Sequence, residues 1–285
     1  CQVNHYHNGH KEQCKIWSRT IKDEPKLEDY PFVEEHQNES PHDPDDKKLY
    51  DKARANWDKE SAEWEYIRFE IFNRVFYEQF FLPECFGNDR NRKVDVILEW
   101  GCATATLSGE YLSQQHANEK IIAFDISPKM IEKVNERYGD RVEGIAGIIT
   151  DMDDPTIREF REKYRGRVDL IVATIALTFI PRCQAKATFL AFCDLLKPGT
   201  GLFAHADTCK ENERAVFPNY MTREECETFY KWGKMEKVLW ETRTLELKGP
   251  VGEVSFPQVL GVAKKPLDEV AEDDQESRVN QCSIN

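Results

Sequence analysis

The sequence predicts an α/β fold: a doubly wound, mostly parallel seven-stranded sheet with helices on both faces and a C-terminal antiparallel hairpin. Three observations carry this expectation. Apolar runs alternate with helical stretches between residues 94 and 207, the pattern of βαβ units joined by right-handed crossovers. The first run, 94–100, leads into Glu99, Gly101 and a string of small residues, and the second, 120–126, ends on Asp125. A buried strand, a tight turn opening a helix, and a carboxylate on the next parallel strand are the parts of a nucleoside site. Finally, two β-rich runs, 240–249 and 253–266, meet at Gly249-Pro250-Val251-Gly252, which reads as a hairpin adding an antiparallel edge.

In chain order, residues 1–48 are polar, charged and interrupted by proline. They are expected to be a mostly disordered arm, since such a segment buries too little to offset its ordering entropy. Residues 49–82 carry Trp57, Trp64, Ile67, Ile71, Val75 and Phe76 at helical spacing, and predict a helix that Pro83 and Gly87 break. After the strand at 94–100 comes a helix over about 104–115. The strand at 120–126 is followed by Ser127-Pro128, a hydroxyl cap with proline in the first turn, and a helix that stops at Gly139. A strand over 142–150 runs into Asp151, Asp153 and Asp154, and Pro155 opens a helix through Tyr164. A strand at 167–177, a helix at 183–196, the Lys197-Pro198-Gly199 turn and a strand at 200–207 complete the alternation. Residues 49–266 are taken as one domain and 267–285 as an acidic, disordered tail.

The 285 residues carry a formal net charge of −13, which disfavours general attraction to phosphate backbones or anionic lipid. No apolar stretch approaches the roughly 18 residues that span a bilayer. The nine cysteines are irregularly spaced without a C-x-x-C pair and read as reduced thiols of a cytoplasmic protein. The start, CQVNHYHNGHKEQC, has no apolar signal core. Its His5, His7, His10 and Cys14 match no closed structural metal site, so no metal is expected.

The chain resembles the class I S-adenosylmethionine-dependent methyltransferases, whose sheet is seven-stranded and Rossmann-like. The likeness rests on Glu99-Trp100-Gly101-Cys102-Ala103-Thr104-Ala105, Asp125 in AFDISPKMI, Asp151, Asp169 leading the fourth strand, Leu195-Leu196-Lys197-Pro198-Gly199-Thr200, and a helix before the terminal hairpin at 221–238. WDKESAEWEYIR (57–68) is similar to the family's N-terminal cap helix. The resemblance implies S-adenosyl-L-methionine as cofactor. Glu99, Gly101, Cys102 and Ala103 would meet its methionine end, Asp125 its ribose diol, Asp151 its adenine amino group, Ile126 or Met152 the ring faces, and Thr174 again the methionine side. Where the family has further glycines, this chain has Ala103 and Ala105, and alanine tolerates positive φ poorly.

Methyl transfer from a sulfonium needs alignment and desolvation more than a general base, so the sequence announces no catalytic residue. His205, at the end of the fifth strand, is a candidate base or acceptor contact, or a structural or solvent-facing histidine. Trp64, Thr178 and Phe179 are candidates for touching the acceptor. The aromatics Phe217, Tyr220, Phe229, Tyr230 and Trp232 suit an organic, partly apolar acceptor, or belong to the core. The expected activity is methyl transfer to an oxygen or nitrogen of a small organic molecule, with nucleic acid and membrane partners disfavoured. Two alternatives stand beside it: a catalytically inactive binding module that keeps the fold, and a nucleotide-sugar or dinucleotide enzyme of related topology.

Overall fold

The structure, a computed structural model, describes residues 44–64, 74–86, 94–113, 119–180, 184–208, 223–249 and 252–267. The expectations for residues 1–43 and 268–285, and for Ile67, Ile71, Phe217 and Tyr220, lie outside the described residues.

Seven strands form one sheet in the order β3-β2-β1-β4-β5-β7-β6. These are β1 (Val96–Trp100), β2 (Lys120–Asp125), β3 (Glu143–Ala146), β4 (Leu170–Thr174), β5 (Leu202–Thr208), β6 (Glu236–Gly249) and β7 (Gly252–Lys264). The first five pair in parallel, while β7 runs antiparallel between β5 and β6. The order reverses direction between β1 and β4, so the crevice at a topological switch point opens there, at the carboxyl ends of the strands. β1 buries Ile97 and Leu98 on opposite faces, and each face has its own apolar core. That is why the strands read as continuous apolar runs rather than alternating ones.

The helices are α1 (Pro44–Trp64), α2 (Pro128–Tyr138), α3 (Pro155–Tyr164), α4 (Ala185–Leu195) and α5 (Arg223–Trp232). Two wider, π-helical segments occupy Tyr77–Phe86 and Leu107–Leu112. Helix α2 begins as its sequence says: Ser127 caps it, accepting the Met130 N–H at 3.2 Å, with Pro128 in the first turn. α3 is capped by Asp154, which accepts the Thr156 N–H at 2.8 Å.

Several boundaries differ from the expected ones. α1 starts at Pro44, ahead of residue 49. Pro83 does not end its segment but sits inside the π-helical turns, where the wider winding relieves its clash with the preceding carbonyl. β3 stops at Ala146, because Gly147 at φ 158° turns the chain out of the sheet. β6 begins at Glu236, directly after the Gly233 turn, so α5 ends earlier than expected. The hairpin turn falls where expected, with Gly249 opposite Gly252.

At the amino ends of the strands, Asp169 ties the sheet together. Its Oδ2 accepts the N–H groups of Asp95 (2.8 Å) and Val96 (3.0 Å), and its Oδ1 pairs with Lys197 Nζ at 2.7 Å. This locks the turn before β5 to the start of β1, far from the crevice.

Candidate functional site

The crevice is built on the turn that leaves β1. Gly101, Ala103 and Ala105 have φ of 65°, 49° and 54°. All three lie in the left-handed region, which costs a non-glycine residue about 1–2 kcal/mol. Glycine is required at 101 for a second reason: a Cβ there would stand 2.6 Å from the Cβ of Ala176, on the chain leaving β4. The two alanines therefore take the backbone course of glycines, with their methyl groups added. Bonds to neighbouring strands hold the turn: Cys102 N–H donates to Phe124 O at 3.1 Å, and Ala103 N–H to Asp125 Oδ2 at 2.9 Å.

Asp125 ends β2 beside this turn, 8% exposed. Its two oxygens accept one N–H each, from Ala103 and from Ser127, both at 2.9 Å. The Ile126 amide also favours the ionised form, and a carboxylate has about four acceptor sites, so capacity remains for a ribose hydroxyl. Burial pushes its acid up to about 6, against the lowering effect of those amides, and the Asp58 carboxylate adds to the rise.

Glu99 lies under the turn, only 2% exposed, with Oε2 accepting the Ser108 N–H at 2.9 Å. It thereby anchors the start of the π-helical segment, and burial pushes its acid up to about 7. Cys102 is buried, and burial holds its thiol well above the ordinary range. Among the described residues no lysine or arginine pairs with Glu99 or Asp125. The crevice is therefore set for a ligand carrying positive charge.

Beyond β3, Asp151 and Met152 are half-buried. Asp151 Oδ1 accepts the N–H groups of Asp153 (3.2 Å) and Asp154 (3.3 Å). Of the three competing aspartates, Asp154 is the helix cap and Asp153 is exposed, which leaves Asp151, half-buried at the end of the β3 turn, as the candidate. Met152 Sδ receives Arg161 Nη1 at 3.4 Å. Ile126 and Thr174 are half-buried at the ends of β2 and β4.

Helix α1 closes over the crevice. Asp58 Oδ1 accepts the Ser127 hydroxyl at 2.6 Å, Lys133 Nζ donates to Ser61 O at 2.6 Å, and Arg54 Nε reaches Ile126 O at 3.4 Å. Further along, the Trp57 ring meets the edge of Phe179, centroids 5.2 Å apart and planes at 89°. α1 thus bridges the end of β2 and the chain beyond β4. The resemblance marked Trp57 and Asp58 as part of a cap helix, but not their individual contacts. Nothing in their spacing signals contact with Ser127 or Phe179. The side chains of Trp64 and Thr178 lie outside the described residues.

Two readings that the sequence left open are decided. Of the readings given for His205, the solvent-facing one falls: the ring is fully buried, with Nδ1 3.1 Å from Asp207 Oδ2 and Nε2 2.7 Å from the Tyr230 hydroxyl. Phe229 and Tyr230 are core residues packed on Phe189, not a pocket lining.

Residues 97–199, from β1 to the turn before β5, match the profile of the family described as "Methyltransferase domain". No curated protein sequence matches the chain. Among solved structures, the chain is similar to one in the complex between the Haloferax volcanii Trm112 methyltransferase activator and a methyltransferase. That likeness has 13% identity over 74% of this chain and 97% of the other, with a TM-score of 0.49. A S-adenosylmethionine-dependent methyltransferase from Methanosarcina mazei gives 14%, 62%, 95% and 0.47 for the same measures. One from Aquifex aeolicus gives 15%, 64%, 93% and 0.44. The profile match and the sheet order agree with a class I, Rossmann-like methyltransferase, and support S-adenosylmethionine as its cofactor.

Proposed function

We propose, on the premise that residues 97–199 form a methyltransferase domain, that this protein transfers the methyl group of S-adenosylmethionine to an oxygen or nitrogen of a small organic acceptor. The observation that carries the reading is the turn 101–105. Its backbone is wound left-handed at Gly101, Ala103 and Ala105, and it is hooked by Ala103 N–H to Asp125. A glycine-type turn beside a strand-end carboxylate suits a nucleoside whose far end is zwitterionic. That two alanines adopt the strained conformation weighs for a working cofactor site over an inactive module.

Asp125 would hold the ribose diol, Asp151 the adenine amino group, Ile126 and Met152 the ring faces, and the 101–105 turn with Thr174 the methionine end. The uncompensated charges of Asp125 and Glu99 favour the sulfonium and ammonium groups. When bound, the cofactor supplies an activated methyl group. The chain's own part is to align the acceptor and exclude water, and α1, with Trp57 on Phe179, covers the crevice for that purpose. The small-acceptor reading is supported by the net charge of −13, which opposes a polyanionic partner. It is supported too by the aromatic contact at the β4 side.

The test is transfer of tritiated methyl groups to panels of small amines, alcohols and carboxylic acids, with tRNA and protein as further panels. Label in the small molecules is the expected result. Label in tRNA or protein alone would remove the small-acceptor reading. Failure to bind S-adenosylhomocysteine would remove the methyltransferase reading itself.

A further inference from the structure

Behind the crevice lies a buried polar chain that the cofactor site does not use. His205 and Asp207 on β5 are 0% exposed, and Tyr230 on α5 is 5% exposed. The imidazole is bonded at both nitrogens, Nδ1 to Asp207 Oδ2 and Nε2 to the Tyr230 hydroxyl. Gly261 stands opposite His205 in the β5–β7 register and keeps this connection open. A Cβ there would run into both the Tyr230 hydroxyl and the His205 ring. The other carboxylate oxygen, Asp207 Oδ1, is buried with no hydrogen-bond partner among the described residues. Among the described residues no lysine or arginine pairs with it. A buried carboxylate oxygen to which no described residue donates is costly, and a donor on a bound ligand would relieve that cost.

Its position says which one. Asp207 is near the carboxyl end of β5, the edge at which ligands of open α/β sheets bind. The chain leaving β4 lies alongside, since Ile175 N–H donates to Ala206 O at 2.7 Å. The next residue, Ala176, abuts the Gly101 turn. Gly101, Ala176 and Asp207 thus follow one another along the edge formed by β1, β4 and β5. With the nucleoside over β2 and β1 and the methionine end over β1 and β4, the next place is the methyl acceptor's.

We propose that Asp207 Oδ1 binds the methyl acceptor directly and that the acceptor is a cationic amine, with His205 and Tyr230 as positioning residues. This rests on the methyltransferase reading. A desolvated carboxylate that no lysine or arginine among the described residues pairs with, and whose one basic neighbour, His205, sits on its other oxygen, favours an ammonium over a neutral hydroxyl or a carboxylate. The ammonium gives one proton to Asp207 Oδ1 and becomes a neutral amine. The nitrogen lone pair then forms the N–C bond to the methyl carbon, and the C–S bond breaks with its electron pair left on sulfur. The products are a methylated ammonium, which carries the positive charge, and the neutral thioether.

The test uses the full chain. Hexylamine and benzylamine should take tritiated methyl from S-adenosylmethionine, whereas hexanol and hexanoate should not. Asp207→Asn should lower amine methylation about 100-fold and leave the affinity for S-adenosylhomocysteine unchanged. In the chain saturated with S-adenosylhomocysteine, hexylammonium should shift the His205 ring 15N resonances, assigned with His205→Gln. Tyr230→Phe should keep that response and Asp207→Asn should lose it. A chain that binds S-adenosylhomocysteine but labels only hexanol or hexanoate overturns the proposal. So does one that neither binds nor methylates either amine, or an Asp207→Asn variant that works at the wild-type rate. Loss of S-adenosylhomocysteine binding in the wild type would instead overturn the methyltransferase reading.

Discussion

Replacing Ala103 and Ala105 by glycine, one at a time, separates backbone strain from packing in the turn that defines the site. At φ 49° and 54°, each alanine carries about 1–2 kcal/mol of left-handed strain. Glycine removes it and loses about 0.5–1 kcal/mol to its greater freedom when unfolded. For the half-buried Ala103 the net gain is about 1 kcal/mol, which for a domain of this size raises Tm by about 2–4 °C. Ala105 is 0% exposed, so its glycine variant also forfeits a buried methyl group, about 0.8 kcal/mol. The two effects cancel there, and its Tm should barely move. Differential scanning calorimetry of the two variants, with and without S-adenosylhomocysteine, reads the difference. Cofactor affinity should hold or rise in Ala103→Gly, because the amide that meets Asp125 stays in place. An Ala103→Gly variant no more stable than the wild type, or an Ala105→Gly variant equally stabilised, would refute this account of the turn.

Three other outcomes follow from the same geometry. Gly101→Ala adds a Cβ 2.6 Å from that of Ala176 on a backbone at φ 65°. It should cost about 2–4 kcal/mol, seen as a Tm lower by about 10 °C and as weakened cofactor binding. Asp169→Ala leaves the Asp95 and Val96 N–H groups and Lys197 without their acceptor. Urea unfolding should show a loss of about 2–5 kcal/mol, while the folded protein binds S-adenosylhomocysteine normally. For pH, burial raises the acids of Asp125 to about 6 and Glu99 to about 7. The folded chain therefore holds these protons more tightly than the unfolded one. Their contribution to stability is full below about pH 4 and is lost as pH rises through 6–7. Affinity for the cationic cofactor should move the opposite way, rising over pH 6–7 as the carboxylates ionise. Thermal melts and binding titrations across pH 4–8 check both signs.

The sheet was legible because its signals are local. Apolar runs bounded by Gly101, Ser127-Pro128 and Lys197-Pro198-Gly199 place strands and turns, and the Gly249–Gly252 hairpin closes where its residues require. Asp125 was legible for the same reason, as the last residue of an apolar run beside a glycine turn. The π-helical winding around Pro83 was not, since apolar spacing alone does not separate a π turn from an α turn. The role of Asp58 depends on a contact with Ser127 across 69 residues, which neither neighbourhood announces. His205 shows the same limit from the other side. Its place near a strand end left an acceptor contact and a structural histidine both open, because the residues that bury it, Tyr230 on α5 and Gly261 on β7, come from elements brought near only by folding. The three aspartates after β3 shared one sequence signature, and only the caps and exposures told them apart.

Calorimetric titration of S-adenosylhomocysteine into the wild type and Asp125→Asn tests the central claim most directly. Asp125 is hydrogen-bonded to the turn through Ala103 and keeps acceptor sites for a ribose diol. Losing two charge-assisted hydrogen bonds should cost about 3 kcal/mol, about a 100-fold drop in affinity, with the fold intact. Equal affinity in the two proteins, or no binding to the wild type, would contradict a nucleoside held by this carboxylate.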